Sequence, residues 1–218
     1  MLNQLLDKLE RKFGRFAINN LMLYIILGMG VFYIADVVLN TNPDNRVQLL
    51  EMISFDREKI LHGEVWRVLT FVLMPPLTSI IFAAFAFYFY WMMGTSLESQ
   101  WGSFKFNVYF FTGVIGCIIA GFIFGYTTNT YLYLSMFLAF AILFPNYEIL
   151  LFFFIPVKVK WLGIFDAVLL IVSFIFGGLS TKVFILFSLA NLLLFFGRDL
   201  FSRIYYTVRR YRHKWQKK

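Results

Sequence analysis

The sequence predicts an all-α membrane protein, a bundle of six transmembrane helices with both termini in the cytoplasm. Its composition sets the class, because 60% of the 218 residues are hydrophobic and only 15% are charged. Soluble domains are roughly 45 to 50% apolar and about 25% charged. The number of spans and the orientation come from the apolar stretches and from the positions of the basic residues.

Six apolar stretches are long enough, or nearly long enough, to cross a bilayer, which takes about 20 residues. They cover residues 16–39, 77–97, 104–126, 129–145, 161–178 and 182–198. The last two are separated only by GGLSTK, a tight turn of the kind that glycine and serine favour.

The distribution of lysine and arginine predicts the orientation of these spans. If the N-terminus is cytoplasmic, that side of the membrane holds 15 of the 20 basic residues and the other side holds five. An odd number of spans would remove this asymmetry. The cytoplasmic tail, residues 199–218, mixes basic and aromatic side chains, which favours contact with an anionic inner leaflet over nucleic-acid binding.

The N-terminal segment, residues 1–15, places leucines at helical spacing between basic residues. This pattern predicts an interfacial amphipathic helix, with a frayed basic leader as the alternative. A cleavable signal is not expected, because a full-length apolar stretch follows without a small-residue cleavage site.

The outer loop, residues 40–76, holds more apolar side chains than a solvated loop needs. We expect it to lie along the outer interface as short amphipathic helices that end at Trp66 and Arg67. The Arg67 guanidinium can reach lipid headgroups, or it can bind loop carbonyls and Glu64, while Trp66 lies at the level of the aromatic belt. A generic interfacial anchor is the alternative interpretation.

Three motifs follow one another along the chain. HGEVWRVLT contains Gly63, Glu64, Trp66 and Arg67; GTSLESQWGSFKF contains Glu98, Trp101 and Gly102; LFPN and FFFIPVKVKWLG contain Pro145, Pro156, Lys158 and Lys160. Each proline is predicted to end a helix. With the six spans, these motifs make residues 16–198 similar to the rhomboid superfamily of membrane proteins. The resemblance implies that Trp66 and Arg67 hold the outer loop sideways in the outer leaflet, and that Glu98 ties an inner turn to neighbouring helices.

The resemblance does not extend to the catalytic residues of rhomboid proteases. Those enzymes use a serine in a Gly-x-Ser-Gly setting on span four, a histidine on span six, and a histidine and an asparagine on span two. Alignment on LFPN puts the nucleophile near Thr130, where no such motif occurs, and the histidine near Ser188 or Asn191. Span two has neither histidine nor asparagine, so the sequence predicts a protein without the catalytic dyad.

Ser135 and Ser188 are the weak candidates for a different nucleophile. Ser135 is expected to bond the backbone carbonyl one helical turn back. Both histidines lie outside the spans, so neither can activate it. A serine–lysine pair would have to use Lys182 with Ser180 or Ser188. Its geometry would be poorly defined, because Lys182 and Ser180 are two residues apart in a turn.

Two acidic residues lie within apolar stretches, Asp36 in the first and Asp166 in the fifth. A charge at the centre of a membrane costs about 2.5 to 3.5 kcal/mol on insertion scales. We expect Asp36 to lie at the interface, and Asp166 to form a salt bridge near Lys160 or to reach the inner face. A proton or ion path is the alternative for Asp166.

Other features predict structure rather than chemistry. The single cysteine, Cys117, and the lack of histidine in the spans predict no metal site and no cofactor. Gly121 and Gly125 have GxxxG spacing, which is expected to serve packing inside the bundle more than a dimer face.

The leading hypothesis is a rhomboid-like pseudoprotease that binds transmembrane helices of client proteins without cleaving them. Its partners would be the lipid bilayer and these client segments, without nucleic acid. The alternatives are a noncanonical intramembrane serine protease and a small transporter or lipid-handling protein. The resemblance suggests a bacterial plasma membrane, although relatives without the dyad also occur in the endoplasmic reticulum.

Overall fold

The computed structural model describes residues 2–40, 48–151 and 155–195, most of which are helical. Near the N-terminus, α1 (Leu2–Phe13) is followed by a 3-10 turn (Gly14–Phe16) and by α2 (Leu21–Leu39). The outer loop contains α3 (Leu49–Ile53), α4 (Arg57–Leu61), α5 (Arg67–Thr70) and a second 3-10 turn (Phe71–Leu73). The remaining helices are α6 (Ile80–Trp101), α7 (Ser103–Phe124), α8 (Thr130–Leu143), α9 (Val159–Phe176) and α10 (Leu179–Phe195).

Four of the described helices, α2, α6, α7 and α9, are long and apolar enough to cross a membrane. Two further apolar helices, α8 and α10, are shorter within the described residues, and α10 reaches the last of them, Phe195. Each of the six predicted apolar stretches coincides with one of these six helices, and their starts differ by at most five residues. The basic tail predicted over residues 199–218 lies outside the described residues.

The central helix of the bundle is α8, which packs against α6, α7 and α9. Nine of its 14 residues are buried. In contrast, α9 exposes large apolar side chains such as Phe165 and Ile171. A face of this kind suits lipid better than water. Because protein surrounds α8, its length does not have to match the thickness of the bilayer.

Two glycines on α7 have separate structural roles. A Cβ atom on Gly121 would lie 2.6 Å from Cε1 of Phe55, so this position allows the outer loop to approach the helix closely. Gly125 ends α7 with a φ of +90°, a conformation that favours glycine. In the GxxxG pair, Gly121 therefore allows a contact within the chain and Gly125 ends a helix.

Two short antiparallel strand pairs depart from the all-α prediction. In the first, β1 (Phe55–Asp56) pairs with β2 (Tyr126–Thr127); in the second, β3 (Glu148–Leu151) pairs with β4 (Ile155–Lys158). Pro156 lies within β4 opposite Leu150, so the prediction that it ends a helix is wrong. A proline is tolerated on an edge strand, which does not need its N–H group. Pro145 does follow a helix end, since α8 stops at Leu143.

Candidate functional site

The outer loop is held by a buried guanidinium. Arg67 is 3% exposed, and its Nε donates to Oε2 of Glu64 at 2.6 Å. Its Nη1 donates to the backbone carbonyl of Ser54 at 2.9 Å and to that of Glu51. Of the two alternatives, Arg67 therefore binds loop carbonyls and Glu64 rather than lipid headgroups.

Two neighbours of Arg67 bind the same short segment of backbone. Trp66 Nε1 donates to the carbonyl of Met52 at 3.3 Å, and Thr70 Oγ1 donates to the carbonyl of Ile53 at 3.0 Å. Together with Arg67 they provide donors for four consecutive carbonyls, those of residues 51–54. The last carbonyls of a helix have no partner within it, so these donors stabilise the end of α3. Gly63, with a φ of +110°, lies between α4 and this group.

The turn between α6 and α7 depends on Glu98. Its Oε1 accepts one hydrogen bond from the backbone N–H of Asn20 at 2.8 Å and another from the hydroxyl of Ser103 at 2.6 Å. A single residue, Gly102, with a φ of +83°, joins the two helices. Beside the turn, the Trp101 ring packs edge-on against Tyr109, with centroids 5.4 Å apart. One carboxylate thus connects the start of α2, the end of α6 and the start of α7.

An ion pair connects α1 to the bundle. Lys105 Nζ, on α7, lies 2.7 Å from Oδ1 of Asp7 and 3.7 Å from Oε2 of Glu10. Leu6 of the same helix is buried. The N-terminal helix therefore contacts the bundle through two carboxylates, and it also buries a leucine.

Ser135, on α8, is buried and contacts α7. Its hydroxyl lies 2.5 Å from the hydroxyl of Tyr109, and the serine is 1% exposed. The expected bond to the carbonyl one turn back is replaced by this contact between helices. A tyrosine hydroxyl is a weak base at neutral pH, so it does not activate a serine as histidine does.

Ser188, on α10, also bonds a neighbouring helix. Its hydroxyl donates to the carbonyl of Tyr131 at 2.8 Å, and Asn191 Nδ2 donates to the carbonyl of Tyr109 at 3.1 Å. Ser180 lies 3.2 Å from the Tyr126 hydroxyl. Within the described part of the chain, the hydrogen bonds of these two serines and of Asn191 involve no histidine, lysine or carboxylate.

A groove between α6 and α9 is open to a ligand. It consists of two adjoining cavities of about 590 and 260 Å³, which share the side chains of Phe85, Phe89, Leu134 and Phe137. We call it the α6–α9 groove. The larger cavity extends to the segments 74–77 and 128–130, and the smaller one extends to α9.

Aromatic side chains form the walls of the α6–α9 groove. Phe85 and Phe89 stack one turn apart on α6, with ring centroids 6.3 Å apart and planes inclined by 3°. Phe89 also packs on Phe137 of α8 at 5.6 Å. On the α9 side, Phe165 and Leu169 line the groove and are largely exposed, so the groove opens toward the lipid-facing surface.

Asp166 is the charged residue that lines this groove. It is 7% exposed, and its Oδ2 has no hydrogen-bond partner among the described residues. The expected pairing with Lys160 is absent, because the Lys160 ammonium lies over the Trp161 ring, 5.3 Å from its centroid. Nζ of Lys158 lies 3.9 Å from Oε1 of Glu148, across the β3–β4 pair. Asp166 is therefore a buried carboxylate that faces an apolar cavity.

The other acidic residue of the apolar stretches has a local partner. Asp36 Oδ1 accepts a hydrogen bond from Asn40 Nδ2 at 2.8 Å, at the end of α2. Asp36 is partly exposed and does not line the α6–α9 groove. It thus differs from Asp166 in burial, in pairing and in location.

Several residues of the site were not singled out from the sequence. Thr70 was missed, and the loop carbonyls expected for Arg67 could not be assigned to particular residues, because a backbone acceptor has no signature in the sequence. The groove phenylalanines were also missed, although their spacing of four on α6 places Phe85 and Phe89 on one face of a helix. That spacing was the available signal.

A scan against protein-family models, a search of curated proteins and a search of solved structures each returned no match.

The class of protein follows from the helices of the chain itself. Four described helices are long and apolar enough to cross a bilayer, which makes this chain a helical integral membrane protein.

Proposed function

We propose that this protein is a six-span, rhomboid-like membrane protein with both termini in the cytoplasm, and that it binds transmembrane helices of other proteins without cleaving them. The binding site is the α6–α9 groove. The order of six apolar helices, the excess of basic residues on one side and the three motifs support the architecture.

The observation that carries the proposal is the groove itself. Two membrane helices, α6 and α9, both pack on α8 and leave between them an aromatic cleft that opens beside exposed apolar residues. The cleft has room for side chains from one face of a helix. In lipid, close packing and interhelical hydrogen bonds drive helix association, so a concave apolar face is a suitable binding surface.

The hydrogen bonding of the serines supports binding without cleavage. Ser135 and Ser188 bond a tyrosine hydroxyl and a backbone carbonyl, respectively. A serine needs a base within about 2.6 to 3.2 Å to act as a nucleophile. Neither contact provides such a base.

The apolar lining of the groove also bears on the transporter alternative. A proton or ion path through a membrane runs along a series of polar groups. The eight residues that line the smaller cavity with Asp166 are all apolar. The smaller cavity therefore fits a protein helix better than it fits an ion path, and the polar Thr128 and Asn129 line only the larger cavity.

The test uses two tryptophan substitutions on opposite faces of α6. Ala86 lines the α6–α9 groove, whereas Ala84 lines a separate apolar cavity between α2 and α6. Binding of a panel of single-span helices is measured in lipid nanodiscs by energy transfer. We expect Ala86→Trp to weaken binding about tenfold or more and Ala84→Trp to leave it within about twofold. Equal effects of the two substitutions, or no binding by the wild-type protein, would refute the proposal.

A further inference from the structure

The unpaired carboxylate of Asp166 indicates what the bound helix must carry. The Oδ2 atom has no donor within the described residues, and the side chain is more than nine-tenths buried. An acidic group in a membrane segment normally faces a partner of opposite charge, a donor or a water-filled cavity. Here the cavity it faces is apolar.

The basic residues nearest in sequence have other contacts. The Lys160 ammonium lies over Trp161, and that of Lys158 lies near Glu148 on the neighbouring strand. The described part of the chain thus provides no cation for Asp166. A partner therefore has to come from outside the described residues.

The walls of the cavity favour a cation over a neutral donor. Phe85, Phe89, Phe137 and Phe165 line it together with Asp166. Aromatic faces attract cations, and the long stems of lysine and arginine pack well along apolar surfaces. A carboxylate behind aromatic walls therefore suits a side chain with an apolar stem and a cationic end.

We infer that the α6–α9 groove selects transmembrane helices that carry a lysine or arginine within the membrane, and that this side chain donates to Oδ2 of Asp166. This inference rests on the proposed helix-binding function and specifies its client. Asp166 is the eighth residue of α9, which starts at Val159. At 1.5 Å per residue it lies roughly 10 Å along that helix. The client's basic residue is therefore expected at a similar depth from the same surface.

The experiment compares matched single-span probes in nanodiscs that contain the full-length protein. The probes are leucine–alanine helices with lysine, leucine or glutamate at the depth of Asp166. Energy transfer between a dye on the probe and a dye at the protein's N-terminus gives the dissociation constants. We expect the wild-type protein to bind the lysine probe about tenfold more tightly than the leucine probe.

Substitutions then assign this preference to one carboxylate. Asp166→Asn, which is nearly isosteric, is expected to reduce the preference to less than about twofold. Asp36→Asn is the matched control, because Asp36 is also acidic, lies on a membrane helix and does not line the groove. The Asp166→Lys variant is expected to prefer the glutamate probe.

The results separate the failure of this inference from that of the proposed function. Equal binding of the lysine and leucine probes by the wild-type protein would overturn the inference while helix binding stands. A lysine preference that persists in Asp166→Asn would also overturn it. No binding of any probe would overturn both. The wild-type comparison needs no variant, so poor folding of Asp166→Asn cannot hide the answer.

Discussion

The guanidinium of Arg67 donates to the backbone carbonyl of Ser54 at 2.9 Å, although these residues are 13 positions apart in the outer loop. The same side chain also binds Glu64 and the carbonyl of Glu51. Short helices of four or five residues are not stable alone. The contacts of Arg67 therefore give this loop a defined shape.

The first prediction concerns this guanidinium. Arg67→Ala is expected to lower the free energy of unfolding by about 3 kcal/mol, because it leaves several hydrogen-bond acceptors without a donor. Arg67→Lys is expected to lower the free energy of unfolding by about 1 to 2 kcal/mol, since the lysine ammonium lacks the planar, rigid set of donors of a guanidinium. Unfolding in detergent micelles gives both values. Arg57→Ala is the control, because among the described residues the Arg57 side chain makes one hydrogen bond, of 3.2 Å, to the carbonyl of Phe122. An equal loss of stability in that variant would contradict the account.

The second prediction separates the charge of Glu98 from its hydrogen bonds. Both donors to its Oε1 are neutral groups, the Asn20 amide and the Ser103 hydroxyl. Glu98→Gln keeps an acceptor oxygen and is expected to cost less than about 1 kcal/mol, whereas Glu98→Ala is expected to cost about 1 to 3 kcal/mol. Thermal unfolding of the two variants decides this. A glutamine variant as unstable as the alanine variant would mean that the charge itself matters.

The third prediction concerns the contact between Gly121 and Phe55. A methyl group on Gly121 would lie 2.6 Å from the ring, so Gly121→Ala is expected to destabilise the protein by about 1 to 3 kcal/mol. Gly30, on α2, has open space at the corresponding position, and Gly30→Ala is expected to be neutral or stabilising. Melting temperatures in one detergent test the pair. If both substitutions were neutral, the loop would not pack against α7 as described.

The fourth prediction concerns proteolysis. The purified protein in lipid is expected to leave a panel of single-span reporters intact where an active rhomboid protease cleaves them, because the hydrogen bonds of Ser135 and Ser188 within the described residues involve no base. Gel analysis of the reporters provides the measurement. Cleavage that is lost in Ser135→Ala or Ser188→Ala would show that this fold contains another catalytic arrangement.

The sequence predicts the helices of this protein well, because long apolar runs have few alternatives in a membrane. The small strands were not predicted, since pairs of two to four residues leave little periodicity to detect. Pro156 was assigned to a helix end because proline is excluded from helix interiors, yet the same property permits an edge strand. The sequence alone does not distinguish these two positions.

The contacts of the site depend on tertiary structure, which explains the other errors. Lys160 and Asp166 are six residues apart, which is roughly 240° around a helix, so they lie on different faces of α9. The partner of Ser135 comes from α7, 26 residues earlier. Neither relation can be read from spacing alone. Asp166 itself was identified from the sequence, because a charged residue within an apolar stretch is conspicuous.

The most direct test of helix binding places a photocrosslinking amino acid at Leu169 or at Ile171, two exposed positions on α9. Leu169 lines the α6–α9 groove and Ile171 does not. Each variant is reconstituted with a defined single-span helix, and the crosslinked fraction is measured by mass spectrometry. Helix binding in the groove predicts a several-fold greater yield at Leu169. Equal yields at the two positions would mean that the helix meets the protein only by random collision in the bilayer, and the central claim would be wrong.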